Sequence, residues 1–266
     1  MELNETDLIL DTAAYAGKIM LKSGAEMRRV EETTQRIAKA YGVDVEDHIF
    51  TLTNAVFIGT TDGNQDGRGM RSILRQVPLS SPKLNRVIAV NQLSHDIEAG
   101  RYTVQECRRK LAEIEQMAGW PLWLKTIAAG IGAGCFAIFF GGWLQEAAVA
   151  VFAGAIPYLI VSLLDGKISK LINNALGGAI MALITLLAAK LLPAFAFALV
   201  PAIAGAMMPL VPGMCFTNGF RDIADGDYLS GAERLLDAVL VGLSIAAGVA
   251  VVVMAFELIT GGGAGL

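Results

Sequence analysis

Positive charge is scarce in the second half of this chain. Of 21 Lys and Arg residues, 15 fall within the first 118 positions and six in the 148 that follow. Charged residues make up only 17% against 54% hydrophobic, with mean hydropathy +0.54, which is poor in charge for a water-soluble domain. The net charge of -4 excludes the basic footprint of a nucleic-acid binder. Cysteine is sparse as well. Cys107 lies in a charged stretch, while Cys135 and Cys215 lie in apolar ones, so neither a disulfide framework nor a metal-ligand spacing emerges. Only two histidines occur. His48 follows Asp44, Glu46 and Asp47, a cluster that reads as a solvated turn before a strand, since a metal or acid–base site needs further converging ligands. His95 reads as a surface residue. No Walker loop, nucleophile elbow or HExxH motif is present, so no enzymatic chemistry, cofactor or metal is expected. The opening residues Met1 to Asp7 lack the basic and apolar regions of a signal peptide, and the N-terminal part is expected to be cytoplasmic.

Apolar sequence is abundant instead. Composition breaks near Met117 to Gly119, just ahead of Trp120, dividing the chain into a head of residues 1–118 and a membrane domain of residues 119–266. A spanning helix needs about 20 apolar residues at about 1.5 Å each. Five stretches qualify, at about 120–142, 144–164, 171–192, 194–214 and 235–259. Lipid leaves exposed backbone groups unsatisfied, so these runs must be helical. The expected fold is an α-helical polytopic membrane protein, with five transmembrane helices preceded by a cytoplasmic α+β domain.

Lys and Arg collect in cytoplasmic loops. Asp165 to Lys170 and Arg221 to Arg234 are therefore expected inside, and Gly142 to Leu144, which has neither, outside. The C-terminus, Gly261 to Leu266, follows on the outside. Trp120, Trp123 and Trp143 fall at expected interfaces. Small residues at Ala128 to Gly134 and Gly177-Gly178 allow close helix approach, within the bundle or against a partner, a second copy of the chain included.

In the head, Thr6 to Ser23 reads as an amphipathic helix closed by Gly24, and a second helix runs from about Ala25 to Tyr41, ending at Gly42. Ile49 to Ile58 is a β-branched and aromatic run with Met70 to Val77 as its partner strand, joined by a turn at Asp62 to Gly69. Helix resumes at Ser81-Pro82 and stops at Gly100. Thr103-Val-Gln-Glu106 is a capping box opening a last helix.

Candidate chemistry gathers near the fourth apolar stretch. Pro201, Pro209 and Pro212-Gly213 interrupt it, and a broken helix in a membrane either lines a cavity or is a packed kink. Polar residues follow directly, including Asn218, Arg221, Asp222, Asp225 and Asp227. Arg221 with these carboxylates could grip a zwitterion or an acid's carboxylate, or Arg221 and Asp222 could pair structurally. Pro212, Gly213, Asn218, Arg221 and Asp222 are the substrate-binding candidates. Ionisable residues inside spans need accounting for. Asp237, expected to be buried, and Glu257, which could equally sit at the interface, are the proton-coupling candidates. Glu146 and Lys190 are expected to reach out to the headgroups.

Two stretches carry a family resemblance. Ser23-Gly-Ala-Glu-Met-Arg-Arg-Val-Glu-Glu-Thr33, and Val211-Pro-Gly213 leading through Asn218-Gly-Phe-Arg-Asp222 to Gly226-Asp-Tyr-Leu-Ser-Gly231, resemble signature stretches of the threonine/serine exporter family. A head plus five spans is similar to that family's N-terminal half. The resemblance implies export of small metabolites across a bacterial cell membrane, driven by ion gradients: threonine and serine in some members, succinate in a two-subunit branch. It also implies a second, small membrane protein supplying the other half. The reading opposed to it is a membrane-anchored binding or regulatory module without transport of its own.

Overall fold

The computed structural model describes residues 5–45, 48–61, 70–78, 82–191 and 197–260. The chain forms two compact units: Met1–Gly119 with Phe216–Leu235, and Trp120–Cys215 with Leu236–Leu266. The expected turn at Asp62 to Gly69, the cluster residues Glu46 and Asp47, the cap Ser81 and the tail Gly261 to Leu266 lie outside the described residues.

In the first unit the helices are α1 (Glu5–Lys22), α2 (Met27–Ala40), α3 (Leu84–Glu98) and α4 (Val104–Gln116), and the strands are β1 (Ile49–Leu52), β2 (Ala55–Thr61) and β3 (Met70–Gln76). Helix α1 is the hub and packs on α2, α3, α4, β2 and β3. Its buried Leu10, Ala13, Ile19 and Met20 meet Met27, Ile37, Val56, Val90 and Leu111 in one core. Each fully buried Leu, Ile or Met contributes about 1.5–3 kcal/mol. Gly24 and Gly42 end α1 and α2 at positive φ, +87° and +80°, where a side chain would be strained. The Thr103–Glu106 capping box forms: Glu106 N donates to Thr103 Oγ1 and Thr103 N to Glu106 Oε2.

Two local expectations need correction. Ile49 to Ile58 is not one strand but the hairpin β1–β2, with Leu52 opposite Ala55 and a turn at Thr53-Asn54. Asn54 is a poor strand residue that suits turns, and its carbonyl takes the Val77 N–H at 2.7 Å. The sheet runs β1-β2-β3, antiparallel throughout. Helix α3 starts at Leu84 with Lys83 at its N-cap, two residues beyond Pro82. It ends before Gly100, as expected.

The second unit contains α5 (Leu122–Phe139), α6 (Leu144–Leu164), α7 (Lys170–Leu191) and α8 (Leu199–Met207), then a single 3-10 turn at Met208–Leu210. Helix α9 (Gly213–Ala224) and helix α10 (Tyr228–Thr260) each run from one unit's residues into the other's. Among the described residues four helices, α5, α6, α7 and α10, are long and apolar enough to cross a membrane, and the bent pair Leu199–Leu210 with Gly213–Ala224 would make a fifth. The burial pattern is inverted relative to a soluble bundle. Small residues fill the interior, Ala133, Ala137, Ala150, Ala153 and Ala206, while Leu144 and Leu258 are 80% and 85% exposed. Such an apolar exterior is stable only against lipid, which makes this a multi-pass membrane protein. A methyl on Gly134 would lie 2.8 Å from Val151 Cγ2, and one on Gly178 would run into the Ile245 carbonyl, so these glycines serve packing within the bundle.

The fourth apolar stretch, expected at 194–214 with residues 194–196 outside the described ones, is not one continuous helix. It breaks after Met207, resumes at Gly213 and bends by 68°. Pro209 and Pro212 each lack the N–H that a continuous helix requires. The residues Arg221 to Arg234, expected as a loop, are instead the end of α9, a tight turn and the start of α10. Gly226 at φ +95°, with Asp227 N bonded to Asp222 O and Gly226 N to Ile223 O, closes α9 in a Schellman arrangement. Glu146 does not reach out to headgroups. It is fully buried and accepts from Trp143 N at 2.7 Å and Ala198 N at 2.9 Å, joining the N-termini of α6 and α8 on one carboxylate. Lys190 lies over the Phe256 ring.

Candidate functional site

Within the first unit, the α1–α2 corner and α9 meet. Helix α2 begins at Met27 behind Glu26, whose side chain makes no cap bond to its own helix. Its exposed N–H groups carry the positive end of the helix dipole. Asp222 of α9 supplies the missing anion: Oδ1 accepts from Met27 N at 3.3 Å. Its other oxygen lies 3.2 Å from Arg234 Nε, close enough for an ion pair but off line for a hydrogen bond. Asp222 is 1% exposed. Arg234 also donates to the Ala25 carbonyl at 3.0 Å, and Asn218 Nδ2 donates to the Gly24 carbonyl at 3.1 Å. Residues nearly two hundred positions apart thus form one polar joint over Gly24 to Met27.

Arg221 is placed differently. Its side chain is 62% exposed and pairs with Glu26, which also holds Arg29 at 3.5 Å. Further out, Arg28 faces Asp225 at 3.7 Å, and Thr53 hydrogen-bonds Glu233. Glu31 accepts from Thr51 N at 3.2 Å, and burial, with Asp227 nearby, raises its carboxyl above the usual range. Asp227 is raised too, by burial and by Asp225.

The remaining candidates lie in the second unit. Pro212 sits between the 3-10 turn and α9, and Gly213 opens α9, its N bonding the Val211 carbonyl at 2.8 Å. Asp237 is not buried and free. It is half-exposed and takes Lys170 Nζ on both oxygens, at 2.7 and 2.5 Å. Glu257 is half-buried near the far end of α10, about 30 Å from Asp237 at 1.5 Å per residue. The structure thus gathers Asn218, Arg221 and Asp222 on one helix beside Glu26 and leaves Asp237 and Glu257 apart. Among the described residues no cluster of three metal-ligating side chains occurs.

Sequence reasoning gave no role to Glu26, Arg234, Lys170 or Asn173. Glu26 lies inside the first motif stretch and Arg234 just after the second, so their positions were visible. Their pairing was not, because no periodicity links partners so far apart.

The two joined stretches are those that carried the resemblance, and the comparison with known families agrees. Residues 11–256 match a family model described as "Putative threonine/serine exporter". The chain belongs to the threonine/serine exporter family. It is 26% identical over 250 residues to a "Probable threonine/serine exporter" of Mycobacterium tuberculosis, covering 92% of this chain but 45% of that protein. It is 25% identical over 248 residues to a "Probable succinate transporter subunit YjjP" of Klebsiella aerogenes, covering 92% of this chain and 91% of the relative. The relative of the same name in Escherichia coli K12 is 24% identical over 254 residues, with 94% and 95% covered. This exporter-family chain therefore spans about half the mycobacterial relative and nearly all of the other two. No solved structure matches it.

Proposed function

We propose that the chain is one subunit of a membrane exporter for small metabolites, threonine and serine or a succinate-like dicarboxylate. The observation that carries this is its near end-to-end match to two relatives named as transporter subunits. The partner is a second membrane protein supplying what the mycobacterial relative holds beyond the matched 45%. The chain crosses the bilayer five times, with the bent pair counted as one span, and has its head cytoplasmic and its C-terminus outside. The distribution of Lys and Arg supports that orientation.

Transport proceeds by alternating access around the break at Met208 to Gly213, where Pro212 and Gly213 leave irregular backbone for a solute. Arg221 is the residue that takes a substrate carboxylate. Glu26, its present partner, offers the same chemical group, and the exposed Arg221 guanidinium can exchange it for a substrate carboxylate. Asn218 and Asp222 hold α9 in place for that exchange. Asp237, paired with Lys170, is the first candidate for proton coupling. Glu257 is the second candidate for that role.

Radiolabelled threonine, serine and succinate efflux, measured from vesicles holding this chain with and without the partner, tests the reading. Gradient-dependent efflux of at least one solute is expected, abolished by Arg221→Gln. Efflux of none, with both proteins verified in the membrane, overturns it.

A further inference from the structure

Four buried side-chain atoms among the described residues lack a hydrogen-bond partner, and one of them lies in the membrane unit: Asn173 Oδ1 on α7. Asn173 is 3% exposed. Its amide orientation is set by its surroundings, because Nδ2 donates to the Val161 carbonyl at 2.9 Å. Val161 falls in the last turn of α6, where carbonyls have no intrahelical donor, so the nitrogen must face it and the oxygen must face away. That oxygen can only accept.

Toward the helix break its neighbourhood is apolar. One turn along α7, a methyl on Gly177 would touch Val161 Cγ2 at 2.8 Å and Leu210 Cδ1 at 3.2 Å, and Leu210 is the last residue of the 3-10 turn. Leu210 packs in turn with Val241 and Ile245 of α10. The neighbouring cation, Lys170, is committed to Asp237. Asn173 Oδ1 is therefore an unpaired acceptor beside an apolar wall at the broken span. An ammonium or hydroxyl brought to Asn173 Oδ1 would satisfy it, whereas a carboxylate, which has no hydrogen to give, would not.

We propose that Asn173 Oδ1 is a specificity-determining contact, accepting a hydrogen bond from the ammonium or hydroxyl of the transported solute. This selects an amino acid or hydroxy-amino acid over a dicarboxylate dianion, which carries no donor. The proposal rests on the exporter reading, and two separate measurements keep their failures apart.

The first is direct binding of L-serine, L-threonine and succinate to the full chain with its partner in detergent or nanodiscs, for wild type, Asn173→Leu and Asn173→Asp. Serine or threonine should bind wild type more tightly than succinate. Asn173→Leu should weaken that binding by about tenfold or more, and Asn173→Asp, which keeps an acceptor, should retain most of it. The second is flux of the same solutes, which tests the exporter reading itself. Should Asn173→Leu not insert, Asn173→Asp and Asn173→Ala provide the comparison. The proposal is overturned if wild type binds succinate alone, if it binds none of the solutes, as a water-filled Asn173 oxygen would predict, or if removing the acceptor leaves serine and threonine binding within twofold. Binding without flux would instead sink the exporter reading and leave the contact standing.

Discussion

Replacing Asp222 with alanine removes two supports at once: the anion at the start of α2 and the counter-charge of Arg234. Truncating one partner of a buried ion pair costs about 3–5 kcal/mol, mostly because the other charge is stranded. Arg234 keeps the Ala25 carbonyl and some contact with solvent, which places the cost near the lower end, about 3 kcal/mol. Loss of the bond to Met27 N adds about 1 kcal/mol, as for other helix caps. If this joint opens locally, amides at the start of α2 should exchange roughly 100- to 1000-fold faster. Asp222→Asn keeps an acceptor for Met27 and should fall between wild type and alanine. The pair Asp222→Leu with Arg234→Met strands no charge and should be milder than Asp222→Ala, by about 2 kcal/mol. Hydrogen exchange of the full chain in nanodiscs, read on peptides spanning Ala25 to Thr34 with α4 peptides as reference, measures this. Unchanged exchange in Asp222→Ala, or a double variant as open as the single, would refute the argument.

Three further outcomes are expected. Glu31, raised by burial and by Asp227, holds its proton longer in the fold than in the unfolded chain, so its stabilising contribution is present at low pH and lost as pH rises through its folded pKa. Glu31→Gln should therefore stabilise the protein more at pH 7.5 than at pH 4.5, and thermal unfolding at both values checks it; an equal effect at both would count against the assignment. The Cys107 thiol, fully buried and pushed up to about 11, should be alkylated far more slowly at pH 8 in the native protein than after denaturation, read in a Cys135→Ala, Cys215→Ala background. Glu146→Ala should lower the thermal midpoint markedly by leaving the Trp143 and Ala198 N–H groups unmet, at about 1 kcal/mol each, while Glu146→Gln recovers part of the loss.

Much of the architecture is legible along the chain because it depends on local pattern. Apolar length marks α5, α6, α7 and α10 as membrane-crossing candidates, and the helical face of α1 and the Thr103–Glu106 box are short-range features. Errors arose where short-range signals compete. The strand-like run at Ile49 conceals a two-residue turn at Thr53-Asn54, and the polar run from Arg221 has the composition of a loop although Gly226 alone suffices to turn the chain. Pro157 lies buried in α6, and the helix continues through it.

By itself the sequence determined that this is a membrane protein with a charged head, that prolines break its fourth apolar stretch, and to which family its two motif stretches belong. The first two follow from composition and from neighbours a few residues apart, and the third from the likeness of the two stretches to a known family. Tertiary structure alone decided what the polar residues face. Asp222 caps a helix begun at Met27, Arg221 meets Glu26, Asp237 is held by Lys170, Glu146 joins two helix ends, and Asn173 keeps one oxygen unmatched. A charge or amide in a linear chain shows only that it needs a partner. Which group satisfies it is set by long-range packing, because the cost of burial falls on whatever the fold brings within hydrogen-bonding distance.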